Sequence, residues 1–125
     1  MPVSFERDDA KRRVLLAALG TVTAADLIHA MDRQAAEGIW QYSVLYDSSE
    51  VTDPPSPADL RRVATHAASI EHKSGKRGPV AMYAPHDVVY GTARMYESVA
   101  DDRVVWRVFR TREEAEAWLD SVSGG

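Results

Sequence analysis

The stretch RVLLAALGTVTAADLIHAMDRQAAEGIWQYSVLYD, residues 13–47, decides the fold. Arg13 to Gly20 is apolar on both faces rather than at alternate positions, which marks a central strand. Thr23 then stands where a helix N-cap is wanted, and Asp26 three residues on supports the first turn. Leu27, Ile28, Met31 and Ala35 fall on one helical stripe, and Gly38 ends the helix. Ile39 to Asp47 contains another strand, with Val44, Leu45 and Tyr46 suited to burial on both faces. Strand, helix, strand in this order implies a right-handed crossover between parallel strands.

Upstream, Val3 to Asp9 alternates weakly, with Val3, Phe5 and Arg7 on one side. A turn at Asp8-Asp9-Ala10-Lys11 makes it an edge strand in a hairpin with the central strand. Downstream, Ser48 to Pro57 (SSEVTDPPSP) is predicted as the longest loop, because Pro54, Pro55 and Pro57 bar both helix and central strand. Ser56-Pro57-Ala58-Asp59 opens a second helix, with serine as cap and proline at the first helical position. Leu60, Val63, Ala64, Ala67 and Ile70 form its stripe, and Lys73, Lys76 and Arg77 lie at or past its end. Pro79 to Pro85 reads as a strand, about Asp87 to Ala100 as a helix, and Val104 to Arg110 as a strand. Thr111-Arg112-Glu113-Glu114 is a capping box, and Ala115, Trp118, Leu119 and Val122 pack the last helix before the tail Ser123-Gly124-Gly125. The fold class is therefore α/β: a single domain over residues 1–125, ordered β-β-α-β-α-β-α-β-α, with a mixed, largely parallel sheet.

Composition narrows the function classes. The 125 residues are 45% hydrophobic and 27% charged, ordinary for a globular domain, with a net charge of −4. That acidity disfavours broad nucleic-acid binding, which needs a concentrated cationic face. There is no cysteine, so no disulfide, thiolate nucleophile or cysteine-type zinc site. The longest apolar run, Val14 to Leu19, is far short of the ~20 residues that span a bilayer. MPVSFERDDAKRR lacks the basic start and apolar run of a secretion signal, so a cytoplasmic location is predicted.

No catalytic constellation stands out. His29, His66, His72 and His86 share no metal-ligand spacing, and there is no HExxH or GxSxG. Asp8–Asp9, Asp101–Asp102 and Glu113–Glu114 sit in turns or first helical turns, where solvation and the helix dipole explain them. Gly75-Lys76-Arg77-Gly78 follows a helix and precedes a strand, the reverse of a phosphate loop, and reads as a helix end. No metal or cofactor is predicted. An enzyme would have to gather His86, Arg94 or His66 with carboxylates in one cleft.

Two features could carry function. Ser56 precedes Pro57 at a helix N-terminus, where a phosphate would meet free N–H groups and the positive dipole end. Ser48 and Ser49 are alternative acceptors, and for Ser56 the plain reading is a cap. The second feature is the helix VVYGTARMYESVA, residues 88–100. Val89, Ala93, Tyr96 and Ala100 form one row, and Val88, Thr92, Met95 and Val99 an adjacent one, a stripe broader than one sheet face requires. Gly91 permits a close backbone approach. Tyr90, Gly91, Arg94 and Met95 are the candidate partner or ligand surface, against the plain reading of a buried core helix.

The element order, with YDSSEV at 46–51, PADLRRVA at 57–64 and YGTARMYE at 90–97, resembles the SpoIIAA-like group of bacterial STAS domains. The resemblance implies the STAS fold and a kinship in fold with CRAL-TRIO lipid carriers. In the anti-anti-sigma factors of that superfamily, a kinase partner phosphorylates a serine in a DSSG-like motif at a helix N-terminus. Here the matching helix start is Asp53-Pro54-Pro55-Ser56, without the serine pair and glycine. The literal Asp47-Ser48-Ser49 lies earlier, with Glu50 in place of glycine. Ser56 is thus the positional match. The resemblance implies a non-enzymatic regulatory module with a protein partner, and a small apolar ligand or lipid as the alternative. The last helix and the edge strand offer surfaces for a homodimer.

Overall fold

The computed structural model describes residues 2–99 and 106–123 of the chain. They form nine elements in the predicted order: β1 (Val3–Asp8), β2 (Arg13–Thr21), α1 (Ala24–Ala36), β3 (Ser43–Asp53), α2 (Pro57–Ser74), β4 (Val80–Tyr83), α3 (Asp87–Val99), β5 (Trp106–Phe109) and α4 (Arg112–Ser123). The expected strand start at Val104, the helix end at Ala100 and the pair Asp101–Asp102 lie outside the described residues, as do the side chains of Tyr96 and Val99.

The five strands lie side by side in chain order. β1 is antiparallel to β2, and β2, β3, β4 and β5 are mutually parallel. Register aligns the apolar residues in rows across the sheet. Val14, Val44, Val80 and Trp106 form one row, and Leu16, Tyr46, Met82 and Val108 the next. On the opposite face Leu15, Leu45 and Ala81 are neighbours.

Strands in simple sequence with right-handed crossovers send every connecting helix to the same face. The five strands span about 19 Å at ~4.8 Å spacing. Three helices abreast span about 16–20 Å between their outer axes. Three helices would thus cover the sheet from edge to edge, yet only two of them rest on it. α1 leans over β1, α3 lies over β3 and β5, and α2 packs on α1 instead. α2 and α1 share their own apolar cluster, built on Ala24, Met31, Trp40, Val63, Ala67 and Ile70. α4 covers the opposite face, where Ala115 and Leu119 meet Leu45 and Ala81, and Trp118 packs against Phe109 with ring centroids 5.8 Å apart.

Two sequence expectations are corrected. The segment from Ser48 is not loop: β3 continues to Asp53 because Leu19, Gly20 and Thr21 pair with Glu50, Val51 and Asp53, and the side chain of Val51 is buried. The prolines stop the strand only after Asp53. Conversely, Ile39 to Tyr42 is a turn before β3, with Ile39 and Trp40 buried. The buried Gln34 amide holds that turn by donating to the carbonyls of Ile39 (3.0 Å) and Trp40 (3.3 Å). Gly78 closes against the same turn. A Cβ there would collide with the carbonyl oxygens of Gln41 and Tyr42, so its role is close approach, not merely a helix end.

One buried charge ties the last helix to the sheet. Arg13, only 3% exposed, donates from Nη2 to Asp120 Oδ1 at 2.8 Å and from Nε to Ser43 Oγ at 3.3 Å. Hydrogen bonding to Arg13 holds the Asp120 carboxyl below the usual carboxylate range. A lowered folded-state value adds stability above the ordinary carboxylate pKa of about 3.9, and that contribution is lost as pH falls through the folded value. Asp120→Asn should therefore lower the urea midpoint at neutral pH, and the gap from wild type should close in acid. A gap of equal size at neutral and acid pH would contradict the pairing.

Candidate functional site

A cavity of about 80 Å³ lies under the lifted helix α2, between α1, α3 and the sheet. Met31 of α1, Val63 of α2 and Val89 and Ala93 of α3 form its walls. Val44, Tyr46 and Met82 line it from the sheet, and Pro54, Pro55 and Leu60 from the start of α2. Its surface is mainly hydrocarbon, with Thr92 and Arg77 also among the lining residues. An apolar cavity of about 150 Å³ can hold benzene, so this one suits a molecule of only a few heavy atoms.

Tyr46 is the polar exception among the floor residues. Its hydroxyl has no hydrogen-bond partner among the described residues. Burial pushes the phenol well above its usual pKa, and the charge of Asp26 pushes the same way. The phenol therefore stays protonated and is a neutral hydrogen-bond donor.

The three candidate serines separate cleanly. Ser56 is exposed at the N-cap of α2, its Oγ accepting from the Asp59 N–H at 3.1 Å and its carbonyl from the Leu60 N–H at 2.9 Å. Ser48 is fully buried in β3 and donates to the Tyr83 carbonyl at 2.7 Å. The folded chain thus encloses its hydroxyl, whereas Ser56 stands exposed. Ser49 is half-buried in the same strand; its N–H donates to Asp47 Oδ1 (2.9 Å) and its carbonyl accepts from His86 Nε2 (3.0 Å). The literal Asp47-Ser48-Ser49 thus sits inside a strand, and the helix start belongs to Ser56.

The wide stripe of α3 splits into two. Val89, Thr92 and Ala93 face the cavity, whereas Val88 and Met95 are 71% and 59% exposed. Tyr90 is half-buried beneath the Arg110 guanidinium, which lies 4.0 Å from the ring centroid. Arg94 is exposed and bonds Glu97 at 3.1 Å. Gly91 is exposed, and an added Cβ would meet nothing within 4 Å, so no described part of the chain packs against it. Tyr90, Gly91, Arg94 and Met95 do not line the cavity. His66 bonds Asp32 at 2.6 Å, His86 bonds Ser49, and Arg94 bonds Glu97, so the three stand in separate contacts. Among the described residues no three histidine, aspartate or glutamate side chains gather as a metal site, and no helix is long and apolar enough to cross a membrane.

No family model matches the sequence, and no curated protein is significantly similar to it. Solved structures are similar over nearly the whole chain. An uncharacterized protein of the DUF3478 family from Shewanella loihica PV-4, with a SpoIIAA-like fold, is 19% identical over 94% of this chain and 91% of its own, with a TM-score of 0.59. The anti-sigma factor antagonist SpoIIAA in its unphosphorylated form is 10% identical over 96% of this chain and 99% of its own, also with a TM-score of 0.59. The chain has the SpoIIAA-like fold. Within that fold, Ser56 and the cavity are neighbours, because Pro54, Pro55 and Leu60 flank the serine and also line the cavity.

Sequence reasoning missed the cavity and Tyr46. Tyr46 reads as one more core residue of β3, and nothing in a local pattern says that the helix above it stands off. Because the hydroxyl has no partner among the described residues, Tyr46→Phe should change unfolding free energy in urea by no more than about 0.5 kcal/mol. A loss of about 1.5 kcal/mol would instead show a hydroxyl tied into the protein.

Proposed function

We propose that the chain is a non-enzymatic regulatory module that works by binding a protein partner, with Ser56 as its control point. The carrying observation is an exposed serine whose Oγ caps the 18-residue helix α2. The likeness to an anti-sigma factor antagonist supports the reading. A phosphate on Ser56 would take the place of the capping oxygen and meet the free N–H groups of the first turn, where the dipole favours negative charge. Asp59 in that turn opposes the added charge, and Arg62, 3.8 Å from Asp59, offsets it. Modification would thus change the surface at the head of α2 without unfolding the helix.

Ser56→Ala should cost about 1 kcal/mol of stability in urea, the loss of a cap. Ser56→Glu should keep the fold, judged by circular dichroism, and lose or exchange the partner that wild type retains in a pull-down. An identical partner profile for wild type and Ser56→Glu removes the switch.

A second reading rests on the cavity: a small apolar ligand held beneath α2 and α3. Its hydrocarbon would lie on Val44, Met82 and Ala93, and a single acceptor group would take the Tyr46 hydroxyl. Native mass spectrometry of freshly purified protein should then show a noncovalent adduct that Ala93→Leu, which fills the space, abolishes. A bare mass for both proteins excludes this reading.

A further inference from the structure

Between residues 57 and 77 the chain carries five cations and two acids, although the whole sequence has 15 lysines and arginines against 19 acids. The segregation is sharper on the surface. Arg61, Arg62, His72, Lys73 and Lys76 are exposed, and no exposed residue from Arg61 to Lys76 is acidic. Both acids are half-buried and engaged: Asp59 receives Arg62 at 3.8 Å, and Glu71 Oε2 accepts from the Arg77 N–H at 3.4 Å. From α1, Asp32 reaches over to His66 at 2.6 Å. Arg61, Lys73 and Lys76 make no ion pair among the described residues.

A solvent-facing helix ordinarily places opposite charges four residues apart, each such pair worth about 0.2–0.5 kcal/mol. α2 forgoes this along its outer face: Arg61 is followed by Thr65, Arg62 by His66 and Ser69 by Lys73, and Lys76 lies just past the helix end, four residues after His72. Beside these cations runs a shallow groove of about 570 Å³ between α2 and α1, lined by Ile28, Ala58, Arg61, Arg62, His66 and Ser69. Ile28 supplies an apolar foothold there.

We infer that the outer face of α2 and its groove with α1 form a docking surface for an acidic segment of a partner protein. The inference rests on the reading of the chain as a protein-binding module and names the surface and the partner's chemistry. A narrow acidic segment in the groove lies within about one Debye length, ~8–10 Å, of the α2 cations and is screened from the acidic remainder of the molecule. A membrane or a nucleic-acid duplex presents an extended negative surface that also meets that remainder, so a compact segment is the better match. Arg61 and Arg62 carry the recognition, because paired guanidinium groups take carboxylates in a fixed, bidentate geometry.

The probe is a fluorescein-labelled peptide of glutamates with leucine anchors, followed by anisotropy on the full chain. Its glutamine analogue, phosphatidylserine vesicles and a DNA duplex are the comparisons. The acidic peptide should bind saturably and more weakly as salt rises, and the glutamine analogue should not bind. R61E/R62E, and the milder R61Q/R62Q if the first variant misfolds, should weaken binding by about tenfold or more. Vesicles or duplex bound as tightly as the peptide, or a peptide affinity untouched by the arginine changes, overturns the inference. Failure of the peptide alongside a pull-down partner that still responds to Ser56→Glu also overturns it and leaves the module standing. Absence of any partner in both assays removes both.

Discussion

Three right-handed crossovers between four consecutive parallel strands put three helices over one face of the sheet, and only two of them rest on it. Most features of this molecule follow from that arrangement. α1 shifts outward over β1 and α3 settles on β3 and β5, so the middle helix rises off the sheet and finds its apolar contacts on α1. The space beneath it becomes a mainly apolar cavity with Tyr46 in its lining. The surface above it becomes the outermost part of the fold, free to carry charge that the rest of the chain balances.

The opposite face has the contrary arrangement. One helix, α4, covers Leu45 and Ala81 with Ala115 and Leu119, and the Arg13–Asp120 ion pair fixes its far end. Removing Arg13 from water is unfavourable unless its guanidinium stays paired, so the contact specifies where α4 lies more than it adds net stability. The two faces divide the work: one anchors the sheet tightly, while the other leaves a helix, a groove and a cavity available for binding.

Features set by local chemistry were legible in the sequence. Apolar runs marked β2 and β4, Thr23 with Asp26 formed the capping box of α1, and Ser56 with Pro57 opened α2. Features set by distant partners were not. β3 reaches Asp53 because the end of β2 pairs with it, despite the prolines that follow. Gly78 is needed because the Gln41–Tyr42 turn lies against it, and Gln34 is buried because that turn needs a donor. Ser48 looked like half of a regulatory motif, yet its position in a central strand buries it. The breadth of the α3 stripe was visible; that Val89, Thr92 and Ala93 would face a cavity and Val88 and Met95 solvent was not, because it depends on where α2 comes to rest.

α2 is supported by α1 and not by the sheet. Native-state hydrogen exchange measures this most directly, since local openings report the free energy that holds each element in place. The amides of β2, β3 and β4 should exchange only through global unfolding, and those of α2 through a smaller opening that leaves the sheet protected. Equal protection of α2 and β3, lost together in one transition, would contradict it.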